Sequence, residues 1–375
     1  MRILMLLSKP FKPEPWHEAK TLVNAGYHVK IIGWDREKKY KKKEIVDGIE
    51  IERISIQAPY GSFVGLLPLY PIFYLIIFIK SIFMDFDVVE CHNFDTLPLG
   101  LLIGKLKGKK IVYHSLDLYF TWFARETSSR IKKYISIIFR KFEKLTLKSI
   151  DHLIVVTPAL LDYYKKYDIT CKTTVLLNTP NKNFFNQFIQ NKNKEDSSKF
   201  VISYIGEIRY EEPLLNLIEA SAKINDVEVL IVGGGVKAES IKKKVEKYPN
   251  VLIIGQVPYK EVIKYYMKSD CTYAVYDSNV ENIKVAIPVK VFEAMACGIP
   301  VIVNKNIWVS NFVEKNKIGL CVNEDNREEI ENAILELKNN KNLKIEFGKN
   351  GRKLFEETYN WEKQEEKLLK VYNKI

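Results

Sequence analysis

The stretch PVKVFEAMACGIP-VIVN, residues 288–304, leaves this chain few ways to fold. Pro288 suits the first turn of a helix, where its missing N–H has no partner in any case. Val291, Phe292, Ala294, Met295 and Ala296 make that helix apolar on nearly every side, which demands burial. Gly298 is placed to end it and Pro300 prevents its continuation. Val301–Asn304 then reads as a short buried strand. A buried helix feeding a buried strand implies layered α/β architecture. Two charges interrupt the stretch, Lys290 and Glu293, on one helix face. Burying charge costs free energy unless it is paired or meets a ligand. The two residues therefore read either as a structural ion pair or as a nucleotide site. In the second reading Lys290 and the first-turn N–H groups of the helix that starts at Pro288 face a phosphate, and Glu293 takes sugar hydroxyls.

The same rhythm runs along the chain. Arg2–Leu7 reads as a buried strand, followed by a proline-containing loop with Lys9 and Lys12, a helix over 16–25 and a second strand over 28–34. Asp87–Cys91 and Lys110–Tyr113 are buried strands followed by HNFDTLPLG and HSLDLY. In open α/β sheets ligands bind beyond the carboxyl ends of strands, so His92, Asn93, Asp95, His114 and Asp117 are expected at a shared crevice. Residues 181–199, rich in Asn, Lys and Ser, read as a linker. The expected division is thus 1–180, the 181–199 linker, a second α/β domain over 200–358, and a C-terminal helix over 359–375. In the second half the strand 200–206 ends at Gly206, the strand 227–232 ends in a glycine triplet, and the strand 251–255 is followed by Gln256 and Val257.

A length of 375 residues fits two domains, and an apolar fraction of 47% can supply both cores. The net charge of +12 would attract nucleic acid, anionic lipid or phosphorylated ligands. No zinc-finger, RNA-binding or helix-turn-helix pattern stands out, so nucleic acid is not the expected partner. The five scattered cysteines suit a reducing, cytoplasmic compartment. Residues 63–79, just short of a membrane span and interrupted by Pro68 and Pro71, read as a buried or interfacial segment in preference to a span. Residues 130–148 are amphipathic: Ile131, Ile135, Ile138, Phe142 and Leu145 recur at helical spacing beside Lys133, Arg140, Lys144 and Lys148. This helix either packs on the sheet or lies on the anionic inner face of a membrane.

The P-x-K-x-x-E-A-M-A-x-G-x-P-V pattern resembles the donor-site segment of family 4 glycosyltransferases, retaining enzymes of the two-domain GT-B fold. The resemblance extends over nearly the whole chain and implies two doubly wound parallel α/β domains facing across a cleft. It implies a UDP- or GDP-linked sugar as substrate, no metal or other cofactor, and a glycan or lipid-linked acceptor in cell-surface polysaccharide or glycoconjugate synthesis. Glu293 matches the residue that holds the nucleotide ribose, and Lys290 with Pro288 and Val289 forms the phosphate end. Gly206 closes the first strand of the donor domain, and the Gln256–Val257 loop meets the base through backbone atoms. Asp117, His114 and His92 would position acceptor or donor-sugar hydroxyls. Two departures stand out. Glu207 and Glu212 occupy the places of the family's diphosphate-clamping Arg and Lys, leaving Arg209 as the local cation, and Leu116 stands at the place of a histidine. Asp85-Phe86-Asp87 spells the D-x-D of a metal-dependent fold but precedes a buried strand. Two alternatives stay open: a non-catalytic GT-B partner subunit, and a nucleotide-sugar epimerase or hydrolase.

Overall fold

The computed structural model describes residues 1–8, 13–58, 63–66, 68–121, 130–189 and 199–375. Lys9 and Lys12 lie outside them. The chain forms two compact units, Met1–Leu177 with Gln364–Ile375, and Asn178–Lys363.

The first unit is built on eight strands in the order β3-β4-β2-β1-β5-β6-β7-β8. These are β1 Arg2–Leu7, β2 His28–Trp34, β3 Lys43–Val46, β4 Ile49–Ile54, β5 Val88–His92, β6 Lys110–Ser115, β7 His152–Val155 and β8 Lys172–Val175. Every pairing is parallel except β3 with β4. The central strands β1 and β5 are buried on both faces, as parallel sheets covered by helices require. The strand order reverses between β1 and β5, which makes their carboxyl ends the switch point of this sheet.

The amphipathic helix over Arg130–Thr146 does not pack its apolar stripe on the sheet. Its polar residues Ser136, Glu143 and Thr146 are buried, while Tyr134, Ile137, Ile138, Phe142 and Leu145 are exposed. Glu143 explains the inversion, because its carboxylate accepts the Tyr113 and Tyr164 hydroxyls at 2.6 and 2.7 Å. Arg140, expected on a free basic face, lies 4.2 Å over the Phe120 ring. The side chains of Ile131 and Lys133 fall outside the description. The apolar stretch expected over 63–79 forms two helices, Phe63–Leu66 and Leu69–Ile82, and among the described residues no helix is long and apolar enough to cross a membrane. Asp85 pairs with the Arg2 guanidinium and Asp87 accepts the Arg2 N–H at 2.7 Å, so the D-x-D letters tie the amino ends of β1 and β5.

The second unit carries six parallel strands in the order β11-β10-β9-β12-β13-β14. They are β9 Phe200–Ile205, β10 Val227–Val232, β11 Val251–Gly255, β12 Cys271–Ala274, β13 Val301–Asn304 and β14 Gly319–Val322. Ile202, Leu217, Val229, Ile231 and Ile302 sit in its core. The switch point lies between β9 and β12. The segment expected as a linker, 181–199, is in its first half the helix Lys182–Ile189, part of this second unit. Its phenylalanines decide the matter: Phe185 is fully buried near Phe355, and Phe184 stacks on Tyr259 at 6.0 Å. The unit boundaries therefore fall at Leu177/Asn178 and Lys363/Gln364.

Candidate functional site

The helix Val289–Cys297 begins at Pro288, whose extended backbone (φ −62°, ψ 134°) turns the chain into it. Gly298, in the left-handed region at φ 67°, ends it by donating its N–H to Met295 O at 3.0 Å. The Val291 N–H turns back to Pro288 O at 2.9 Å, so the outermost N–H groups belong to Val289 and Lys290. Lys290 is only 7% exposed. Its ammonium lies 3.7 Å from the centre of the Tyr204 ring and 5.1 Å from that of Tyr276, yet Nζ has no hydrogen-bond partner among the described residues. Tyr204 is on β9 and Tyr276 follows β12, so the ammonium stands at the switch point of the sheet. Burial pulls the Lys290 pKa down to about 7, with Glu293 opposing the fall.

Backbone shape keeps this place open. Gly206 follows β9 at φ 134°, and a Cβ there would meet Lys290 Cε and Nζ at 3.4 Å. Gly233 after β10 has φ 143°, and a Cβ would stand 2.0 Å from Gly206 O. The loops are tied by Gly206 N–H to Val232 O at 2.8 Å and Ile208 N–H to Gly234 O at 2.7 Å. Close backbone approach thus requires glycine at 233 and also at 235, where a Cβ would stand 2.6 Å from Ile208 O. Gln256 is exposed, with its side chain beside Gly234, and Val257 is half-buried.

Glu293 is 6% exposed and accepts the Tyr266 hydroxyl at 2.7 Å. Its charge attracts the Lys290 ammonium, although Lys290 Nζ makes no hydrogen bond among the described residues. Arg209 is not a free cation: its guanidinium pairs with the Glu207 carboxylate. Glu212 opens the helix Glu212–Ser221.

Sequence reasoning missed the aromatic walls and the frame behind them. Asn304, at the end of β13, accepts the Tyr276 N–H at 2.9 Å and donates to Tyr276 O at 2.7 Å. It also donates to Glu324 at 3.0 Å, and Glu324 accepts the Ser278 N–H at 2.8 Å. Both side chains are buried, and together they fix the loop that carries Tyr276. The signal for Tyr204 was available: two residues before Gly206, it shares that residue's strand face.

In the first unit the expected residues do not form an open crevice. His92 and His114 are 2% and 1% exposed, enclosed with Glu18 and Glu90. Side chains this enclosed do not reach a substrate hydroxyl, which corrects their expected role. His114 Nδ1 lies 3.1 Å from Glu18 Oε2, and the two imidazole rings are 5.1 Å apart. Burial pulls the His92 pKa down to about 4, whereas at His114 the Glu18 carboxylate overcomes burial and raises it to about 10. Asp117, beyond β6, is half-buried, and Asp95 accepts the Tyr119 hydroxyl at 2.9 Å.

Two family models match the chain in succession: "Glycosyltransferase Family 4" over residues 16–179 and "Glycosyl transferases group 1" over residues 185–354. An uncharacterized glycosyltransferase of Methanocaldococcus jannaschii is 22% identical over 308 residues, 78% of this chain and 76% of that one. The O-antigen chain mannosyltransferase C of Escherichia coli is 22% identical over 306 residues, 79% and 77% of the two chains. Among solved structures, the sucrose-phosphate synthase of Thermosynechococcus elongatus aligns with a TM-score of 0.82 at 18% identity, over 100% of this chain and 99% of that one. HepE of Anabaena in complex with UDP aligns over the whole of both chains with a TM-score of 0.71 at 15% identity.

Proposed function

The chain belongs to the glycosyltransferases of the GT-B fold, its two halves matched in turn by the two family models, and on that premise we propose that it transfers a sugar from a UDP- or GDP-linked donor with retention at the anomeric carbon. The observation that carries this reading is the buried Lys290 ammonium, which faces two tyrosine rings and no hydrogen-bond acceptor. A buried cation without a partner is costly, and a diphosphate supplies the missing acceptor. As the sugar–phosphate bond breaks, negative charge grows on the departing phosphate oxygen. Lys290 and the N–H groups of Val289 and Lys290 are aimed where that charge develops, an arrangement in which electrostatics lowers the barrier without a metal ion. Glu293 receives ribose hydroxyls beside Tyr266, and the Gln256–Val257 loop meets the base. HepE, a structural neighbour, is described with UDP and with UDP-glucose, which supports the donor class.

Asp117 remains the acceptor-side candidate of the first unit. A lipid-linked or membrane-associated acceptor fits the inverted helix. Ile137, Ile138, Phe142 and Leu145 are exposed there beside the exposed Lys141, Lys144 and Lys148. Ile72, Leu75 and Ile79 are exposed on Leu69–Ile82. Apolar residues flanked by lysines suit an anionic bilayer surface, with each nearby lysine contributing about 1 kcal/mol. The related O-antigen chain mannosyltransferase points to cell-surface polysaccharide as the pathway.

The Glu207–Arg209 pair favours a second reading, a non-catalytic partner subunit, because it engages the cation that the family would use as a diphosphate clamp. Calorimetry with UDP, GDP and a panel of nucleotide sugars separates the two. Binding followed by product formation only when acceptor is present supports the transferase; absence of binding across the panel supports the partner subunit.

A further inference from the structure

Glu18, Glu90, His92 and His114 bring four ligand-type side chains to one place in the first unit, and the donor chemistry uses none of them. The sheet sets the geometry. His92 and His114 are register partners on the parallel strands β5 and β6. Glu90 precedes His92 by two residues and so projects from the same face. Glu18 joins from the helix Pro13–Asn24. All four are at most 2% exposed.

We propose that these four side chains bind one divalent transition-metal ion, with zinc the best match. The distances carry the argument. His114 Nδ1 lies 3.1 Å from Glu18 Oε2 and 3.7 Å from Glu90 Oε1. His92 Nε2 lies 3.7 Å from Glu18 Oε2 and 3.4 Å from Glu90 Oε1. A tetrahedral zinc site with bonds of about 2.1 Å places neighbouring ligand atoms about 3.4 Å apart. The four edges thus bracket the value that a central zinc ion imposes, and all four ligand atoms lie within 4.8 Å of one another.

A second observation points the same way. Glu90 Oε1 and His92 Nε2 are fully buried without a hydrogen-bond partner among the described residues, and both face the centre of the cluster. Orphaned buried polar atoms are rare in folded proteins, and a metal ion satisfies both at once. It also balances the two enclosed carboxylates with a double positive charge. The second oxygen of Glu90 accepts the Tyr372 hydroxyl, an outer hydrogen bond of the kind that orients a ligating carboxylate. The donor set is closed, as in structural rather than catalytic zinc sites. The ion would fasten the Pro13–Asn24 helix to β5 and β6, and through Tyr372 the C-terminal residues 364–375, all within the first unit.

The test is metal content, independent of any transferase activity. Full-length protein dialysed against metal-free buffer and analysed by inductively coupled plasma mass spectrometry is expected to hold about one zinc per chain. Replacement by cobalt is expected to give the strong visible absorption of a tetrahedral site. The Glu18→Gln/His92→Ala variant is expected to lose the metal. Less than about one-fifth of an ion per chain in the wild type, with no rise in melting temperature when zinc is added to stripped protein, overturns the proposal. So does a folded double variant that keeps its zinc, since the ion would then be held elsewhere.

Discussion

Replacing Lys290 by Met separates a ligand-binding lysine from a structural one. The side chain is 7% exposed and its ammonium has no hydrogen-bond partner, while burial moves its pKa from 10.5 to about 7. At about 1.4 kcal/mol per unit, a shift of that size amounts to a few kcal/mol against the charged form. Met fills a similar volume without the charge, so Lys290→Met is expected to stabilise the unliganded protein by about 1–3 kcal/mol. For a unit of this size the melting temperature then rises by about 2–4 °C per kcal/mol. The same substitution removes a charge-assisted contact worth about 1.5–3 kcal/mol to a bound phosphate. UDP affinity should fall about 10- to 150-fold while uridine affinity stays within about twofold. Thermal unfolding and calorimetry with UDP and uridine measure both effects. The pH dependence has a fixed sign. With a midpoint near 7, Lys290 is charged in roughly nine-tenths of free molecules at pH 6 and one-tenth at pH 8. The wild type should therefore bind UDP about tenfold more weakly at pH 8 than at pH 6, a loss that Lys290→Arg abolishes. For folding, the lysine's pKa is depressed in the native state. Between pH 7 and 10.5 the unfolded chain holds the extra proton, and the Lys290 contribution to stability rises with pH across that window. A Met variant that melts lower than the wild type, or loses uridine and UDP affinity equally, refutes the reasoning.

Three further outcomes are expected. Glu207→Gln removes the carboxylate paired with Arg209 and should tighten UDP binding about threefold or more, whereas Arg209→Ala should lower turnover by about tenfold; unchanged values for both mark a purely local ion pair. Asn304→Ala leaves the Tyr276 backbone and the Glu324 carboxylate without a shared partner, at about 1–3 kcal/mol of stability, and should weaken UDP binding in parallel; denaturant titration and calorimetry read the two losses, and UDP affinity that stays intact disconnects the frame from the site. Ile138→Glu/Phe142→Glu should abolish co-sedimentation with anionic vesicles while raising solubility, and co-sedimentation equal to the wild type rejects the membrane reading of that helix.

The residues that the sequence made legible are those where local chemistry admits one solution. Pro288, Gly298 and Pro300 bracket a helix whatever surrounds it, and the apolar run between them has nowhere to go but inside. The strands followed from buried runs of the same kind. The orientation of the Arg130–Thr146 helix was not legible, because periodicity reports that two faces differ and not which one the sheet will take. There the deciding contact is Glu143 with Tyr113 and Tyr164, from β6 and the helix Pro158–Lys165, and no window along the chain contains all three. The same limit hid the partners of His92 and His114. Glu90 inside the apolar run VVECH was a visible anomaly, but Glu18 lies about seventy residues earlier and meets it only through the order of β1, β5 and β6. Within 181–199, residues 182–189 were misread because polar composition outweighed two phenylalanines that fix them as a helix, while residues 190–198 lie outside the described residues.

Both sheets place buried ionisable groups at or beside their switch points, and the difference between them separates an open site from a closed one. At β9/β12 the Lys290 ammonium is surrounded by tyrosine faces and glycine backbone, which soften the cost of its charge without cancelling it. The deficit persists until an anion arrives, so the group is poised for a ligand that comes and goes. At β5/β6, beside the switch point of the first sheet, two carboxylates and two imidazoles stand within ligand distance of one another. The two carboxylates outweigh the imidazoles, and what is missing is a small cation at the centre rather than a large molecule at the rim. One fold motif thus supplies both a place for chemistry and a place for a fastener. What tells them apart is whether the buried charge faces aromatic rings or its own counter-charges.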